Sequence, residues 1–484
     1  MKEVLTKSQV KYWINYFVVV YFMFGFGKIG AIGAISDIGM QILGIFLGLI
    51  WGWMFIEMFW PSLMCVIALG LSDYMTMDQA LKEGFGNSTV WLVFFCLIFA
   101  AYLEKSGLNT AMANWFIRRK ICLGRPWVFS LMLLIAAYFL GATVSLFAAI
   151  VLSWNLFYRV CKMAQIKPGD PYAVLMVIGL CYAACLGVSI LAFKPIPLIV
   201  YDSVQAYTGI TVNYFQFMVV SFAISFVCLI IYWAIICLGI RPDVGKISHA
   251  IESINNETHA ELNFQQKTAS AFLIIFFLLL FLPNLLPEDF FFYDVLNRLT
   301  PTGTVCLVVL MICSLFKKEH RLGEFAEYIK NGVSWDLVFA FVAIMPLSSA
   351  MGDDRTGIFE QISLLTNQIF NHMSPFVFAL TLLLVVLVLS QFVYNVIVAT
   401  IFSPLMCMYA AQIDIPINTM AVLMCFALAM ALCTPLASGM AAMMYGNSEW
   451  LTRKDVLKYT ILATVINYTV MIVIGFPVGL LIIG

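Results

Sequence analysis

Apolar residues fall in blocks long enough to cross about 30 Å of hydrocarbon as helices, separated by short polar segments. The blocks predict spans at 10–29, 36–56, 57–73, 88–104, 173–202, 214–240, 268–287, 301–316, 333–351, 418–446 and 458–482. Two further apolar stretches, 126–160 and 374–410, are too long for one simple span. Each is interrupted near its middle, by "GATVS" in the first and "SQFVYNV" in the second. Two of the spans are themselves broken, at "GVSILAFKPIP" and at "CTPLASG". The pattern predicts an all-α polytopic membrane protein with about 11 transmembrane helices, two re-entrant hairpins and two broken helices.

Composition adds the solvent. The chain is 63% hydrophobic and 11% charged, far too little surface charge for a soluble domain of 484 residues. A net charge of zero points to no nucleic-acid or acidic partner. The 13 cysteines lie almost all inside apolar runs, with no CxxC pair. They read as buried small hydrophobes, not as disulfides or a metal site. No N-terminal stretch joins a short apolar core to a small-residue cleavage site, so the first span is expected to be retained.

Charge placement predicts sidedness. Let both interrupted stretches return to the side they entered, and put the N-terminus in the cytoplasm. Of the 26 Lys and Arg residues, 21 then lie on the cytoplasmic side. Lys28, Lys82, Arg298 and Arg355 lie outside, and Lys194 is left within the membrane. The positive-inside rule holds strongly in this arrangement. If either stretch crossed once, every later loop would flip and the bias would degrade. The expectation is a multi-pass protein of the cell membrane with a cytoplasmic N-terminus and the lipid bilayer as its surroundings.

The order of elements repeats. A span with Trp91, a short amphipathic segment, a hairpin and a broken span are matched by a span with Trp335, a short amphipathic segment, a hairpin and a broken span. The hairpins enter from opposite faces, so residues 1–240 and 268–484 read as inverted repeats joined by a polar cytoplasmic linker, 241–267. Inverted repeats with broken helices are the mark of a secondary transporter, with the binding site at the breaks. Non-helical backbone at that depth survives only when buried in protein or lining a wet cavity. The patch Ser390–Val396 therefore reads as a hairpin tip that holds an ion or a solute. The alternative is a helix–helix interface glued by Ser390, Gln391 and Asn395.

At these residues the chain resembles the divalent anion:sodium symporter family (dicarboxylate, citrate and sulfate transporters of the ion transporter superfamily), as a divergent member. "MQILGIFLGLIWGWMFIEMFWPSL" (40–63) looks like the family's second and third spans, and "YLEKSGLNTAMANWFI" (102–117) like its fourth span and interfacial helix. "TPLASGMAAMMYG" (434–446) is similar to its broken tenth span. The family's second tip reads Thr-Glu-x-x-Ser-Asn-Thr; here Ser390 keeps a hydroxyl, Asn395 is retained, Tyr394 replaces the Ser and Val396 the Thr. The first tip falls at Thr143-Val144-Ser145, where the Asn has become Val144. The resemblance implies an elevator-type homodimer that carries a di- or tricarboxylate, with Na⁺ as coupling ion and no other cofactor. It places sodium on Ser390 and Asn395 and on backbone near Val393 and Ala437. It places substrate against the two tips, at Thr143, Val144, Ser145, Tyr394, Asn395 and Val396; Lys194 in the first break and Pro435 and Ser438 in the second are candidate substrate-binding residues from their own positions. The first sodium site, resting on Thr143, Ser145 and backbone near Gly187 to Ala192, has lost its amide oxygen. Reduced sodium stoichiometry is expected, with sodium-independent exchange as the alternative.

Lys194 carries the most information, because an ionisable group inside the membrane is a functional hypothesis by default. The alternative is a lysine that snorkels to the extracellular face. Gly187, Gly439 and Gly446 are expected to serve close packing or unusual backbone. No acidic residue is expected in the middle of a span, and His249, His259, His320 and His372 lie in loops or at their edges. No HExxH, P-loop or GxSxG motif is present, so an ATP-driven pump or an intramembrane hydrolase has no chemistry to use. A channel needs a continuous pore in place of two closed hairpins.

Overall fold

The computed structural model describes residues 7–117, 119–143, 146–210, 213–245, 247, 262–287, 289–314, 325–358, 360–362, 364, 373–412, 415–435 and 437–483. Among these the chain is helical, apart from an isolated bridge between Ile32 and Ile35. The first half runs α1 (Lys7–Gly25), α2 (Asp37–Phe55), α3 (Phe59–Gly70), α4 (Met77–Phe85), α5 (Ser88–Lys105), α6 (Leu108–Ile117), α7 (Pro126–Thr143), α8 (Leu146–Met163), α9 (Pro171–Val188), α10 (Pro195–Thr208) and α11 (Tyr214–Ala234). The second half runs α12 (Phe264–Leu285), α13 (Tyr293–Ser314), α14 (Phe325–Gly332), α15 (Trp335–Gly352), α16 (Pro375–Leu389), α17 (Asn395–Gln412), α18 (Ile417–Ala429), α19 (Gly439–Gly446), α20 (Arg453–Val470) and α21 (Phe476–Ile482).

Among the described residues, eleven helices are long and apolar enough to cross a membrane. The number agrees with the sequence expectation, but the membership differs. Both arms of the first interrupted stretch, α7 and α8, reach 18 residues and join the set. The expected span 57–73 forms only α3, 12 residues and about 18 Å. The second broken helix supplies the short pieces α18 and α19. The structure also adds two short helices, α4 and α14, each immediately before a Trp-bearing helix, α5 or α15. Their polar composition had hidden them among the loops.

Local chemistry explains where helices begin. Asn87, Asp170, Asn213 and Ser374 each accept a hydrogen bond from a backbone N–H in the first turn of the helix they open. Proline follows at the first helical position of α9, α10 and α16, where its missing N–H costs nothing. Residues 189–194 form the first break, between α9 and α10, and residues 430–438 the second, between α18 and α19.

The arms of each interrupted stretch pack on the first half of the following broken helix: α7 and α8 on α9, α16 and α17 on α18. The second halves cross over. α10 packs on α17 and α18, and α19 touches α9. α9 is buried from Tyr172 through Gly187 and α18 over most of its length. A helix that is apolar on every side belongs inside. The approach of α7 to α9 depends on small residues. A Cβ on Gly141 would stand 2.1 Å from the Ala184 carbonyl oxygen, and one on Gly187 would stand 1.9 Å from that of Tyr138. The packing role expected of Gly187 is present; a Cβ on Gly439 would meet the Phe147 ring at 2.8 Å, whereas Gly446 faces open space.

Loop contacts pair segments that the charge count assigns to one face. Ser36 Oγ donates to the Arg355 carbonyl (2.6 Å), Tyr74 donates to Asp353 (3.0 Å), and Arg355 lies over the Tyr74 ring. Elsewhere Lys105 pairs with Glu327 (2.6 Å), Asn447 donates to the Tyr158 hydroxyl (2.6 Å), and Tyr158 stacks on Trp450. Asp202, the last residue of the expected span 173–202, lies partly buried within α10. Hydropathy ended the span at 202, but α10, docked on α17 and α18, continues to Thr208.

Candidate functional site

A cavity of about 930 Å³ opens among α5, the end of α7 and start of α8, the start of α17 and both breaks. Its walls carry Thr143 at the end of α7, Lys194 in the first break, Tyr394, Asn395 and Val396 at the second tip, and Ser438 at the second break. Most of the remaining lining is apolar, with Phe276 and Phe277 from α12 prominent. Glu104, Lys105, Glu327 and Asn331 stand at one part of its wall, all from segments that the charge count places at the cytoplasmic face. The volume falls within the roughly 300–1,000 Å³ of small-molecule clefts.

The first break holds Lys194 by local geometry. The residue is the N-cap of α10, with extended backbone, and its amide closes a turn onto the Leu191 carbonyl at 3.3 Å. Pro195 and Pro197 follow. The side chain is partly buried on the cavity wall, which Cys96 of α5 also lines. The Thr143 hydroxyl donates back to the Phe139 carbonyl (2.8 Å), and Ser189 to that of Cys185 (3.0 Å). Both hydroxyls keep lone pairs for a further donor. Val144 and Ser145 lie outside the described residues.

The second tip and break are joined by hydrogen bonds. α18 stops at Ala429, which frees backbone groups that hydrocarbon cannot satisfy. Gln391 takes several of them. Its Nε2 donates to the carbonyls of Leu387 (2.9 Å) and Met430 (2.8 Å), and its Oε1 accepts from the amides of Leu432 (3.1 Å) and Cys433 (3.0 Å). The Thr434 hydroxyl donates to the Gln391 carbonyl. Tyr445 donates to the Cys433 carbonyl (2.6 Å). Ser438 donates to the Ala431 carbonyl (2.5 Å) and caps α19 by accepting from Ala441 (3.2 Å). Asn395 donates to the Leu428 carbonyl at 3.4 Å. Ser390 is fully buried and donates to Leu387, three residues back, at 2.8 Å.

The structure thus brings Thr143, Lys194, Tyr394, Asn395, Val396 and Ser438 to one cavity. Pro435, Ser390, Val393 and Ala437 do not line it. Ser390 lies behind it, in the contact of the second tip with α18. Gln391 is the residue that sequence reasoning undervalued, naming it only as interface glue; an amide in the middle of an apolar run was the available signal. Among the described residues no cluster of three or more His, Cys, Asp or Glu side chains could hold a metal ion. A cation here would rest on carbonyl, hydroxyl and amide oxygens, which suits a hard ion.

With this geometry in view, comparison with known proteins gives a family. The model of the CitMHS citrate transporter family matches residues 46–429. The chain belongs to that family. It is a multi-pass membrane transporter of organic anions, and not an enzyme. No curated protein matches in sequence. Among solved structures, the fold is similar to that of the Alcanivorax borkumensis YdaH transporter, whose crystal structure is described as having an unusual topology. The identity is 11%, the TM-score 0.57, and the match covers 82% of this chain and 87% of that one. The family match agrees with the sequence resemblance to citrate and dicarboxylate transporters, and the solved structure adds a shared fold.

Proposed function

We propose that this citrate-transporter-family chain carries a di- or tricarboxylate by secondary active transport, with Lys194 meeting a substrate carboxylate. One observation carries the reading: a single cavity collects Lys194 from the first break and polar groups from both tips. A lysine charge at the bilayer centre costs roughly 2.5–3.5 kcal/mol on insertion scales, and an anionic solute offsets that cost. The ammonium is a compact charge with three donors. It stands in for the sodium ion that the first tip, with Val144 in place of an amide, no longer holds. Sodium coupling is then confined to the second tip, at Ser390, Asn395 and backbone near Val393 and Ala437. The hairpins and broken helices move together against the other helices of a homodimer, in elevator fashion. A second reading, exchange of anions without sodium, is favoured by the Gln391 amide, which already engages the Met430 carbonyl and the Leu432 and Cys433 amides beside that tip.

Proteoliposomes decide between these. Labelled citrate and four-carbon dicarboxylates are offered with an inward Na⁺ gradient, with K⁺ in its place, and under counterflow. The carrier reading expects counterflow of at least one carboxylate. Accumulation driven by Na⁺ favours symport, and equal counterflow in K⁺ favours exchange. Voltage-dependent unitary currents without counterflow would show a channel.

A further inference from the structure

We infer that Gln391 is the positioning residue that locks the second tip to the second break, its neutral amide engaging there both carbonyls and amides so that no ion is needed to join them. For its consequence in transport, this rests on the reading of that tip as part of the carrier's binding site.

The ending of α18 at Ala429 takes residues 430–433 out of the helical bonding pattern, with the Leu432 amide donating to the Met430 carbonyl at 3.0 Å. The Met430 carbonyl and the Leu387 carbonyl of α16 converge on one point, which is a seat for positive charge. The Leu432 and Cys433 amides converge on another, a seat for negative charge. The Gln391 side chain fills both: its NH₂ group sits 2.8 and 2.9 Å from the two carbonyls, and its Oε1 sits 3.0 and 3.1 Å from the two amides. Only 6% of the residue is exposed. A carboxamide carries both poles without net charge, so no ion is needed for neutrality. A carboxylate of the same shape could accept from the amides but not donate to the carbonyls. It would face their negative ends in a buried site, and relief would need a proton or a cation. The Thr434 bond to the Gln391 carbonyl adds a second tie between the same segments. Tip and break are therefore held as one unit whether or not an ion is present. Asn395 and Tyr394 are carried by that unit.

The test compares thermal unfolding of the purified full-length protein in detergent, in Na⁺ and in a bulky organic cation, at neutral and acid pH. Gln391→Glu should unfold at lower temperature than wild type in the organic cation at neutral pH. It should recover on adding Na⁺ or on acidification. Gln391→Met, of similar length but without the four bonds, should unfold earlier under every condition and recover under none. Should Gln391→Glu fail to fold, Gln391→Met still decides. A Gln391→Glu deficit that Na⁺ and acid both leave unchanged would overturn the inference. So would a Gln391→Met protein as stable as wild type. No solute enters these measurements, so their failure leaves the carboxylate reading standing. Absence of carboxylate counterflow, in turn, leaves the clasp standing.

Discussion

Lys194 and Asp353 show how differently two charged residues work. Lys194 lies partly buried on the wall of an otherwise mostly apolar cavity. Lys194→Met keeps length and removes charge. It should abolish carboxylate binding while the protein still elutes as folded wild type, and unchanged affinity would show that the ammonium serves another contact. Lys194→Arg should be tolerated only in part, since the planar fork is larger and its donors are fixed. Asp353 sits at the rim of the fold, after α15. Hydrogen bonds from Arg355 hold its carboxyl at about 2, below the ordinary carboxylate range, and Tyr74 contributes as well. Its folded value is depressed, so its contribution is present above about pH 4, the unfolded value, and fades as pH falls toward 2. Asp353→Asn should therefore lower the unfolding midpoint slightly at neutral pH, and less in high salt. Midpoints of variant and wild type should converge on acidification; a constant gap would assign the effect to lost geometry instead of charge.

Among elements, the α7–α9 contact makes the sharpest demand on sequence. Gly141 and Gly187 let two backbones meet where any side chain would strike a carbonyl oxygen. Gly187→Ala should cost about 1–3 kcal/mol through overpacking, read as an earlier unfolding midpoint. Gly446→Ala, in open space, should stay within about 0.5 kcal/mol of wild type. Equal effects would show that α7 and α9 are free to separate. Hydropathy located both interrupted stretches and both breaks because each break removes helix-forming residues or inserts proline. It did not reveal α4 and α14, whose short amphipathic faces acquire meaning only against α3 and α15 or α5.

For the whole molecule, the expected sidedness is open to direct measurement. On a background lacking the native cysteines, Arg125→Cys and Lys162→Cys flank α7 and α8. An impermeant thiol reagent should reach both from the same side, the cytoplasmic one. Labelling from opposite sides would make α7–α8 a single crossing and would undo the inverted repeat. The crossover packing of α10 on α17 and of α19 on α9 ties each half to the other. It accounts for a site built from both halves, with neither able to enclose it alone.

Residue order alone specifies the solvent, the helical class, the places where helices break and the presence of a lysine at one of them. These follow from local quantities: how much hydrocarbon a segment prefers, and where proline or a polar patch forbids a continuous helix. Which polar groups meet is set by packing in three dimensions. Gln391 and Met430 are 39 residues apart, and Thr143 and Asn395 come from different halves, yet each pair shares one site. The same holds for Asp202, which hydropathy left at the edge of a span and docking placed inside a helix. A hydropathy pattern records what each segment dissolves in. The partner that satisfies a freed carbonyl is chosen by packing between segments far apart in the chain, and no local property of either segment specifies it.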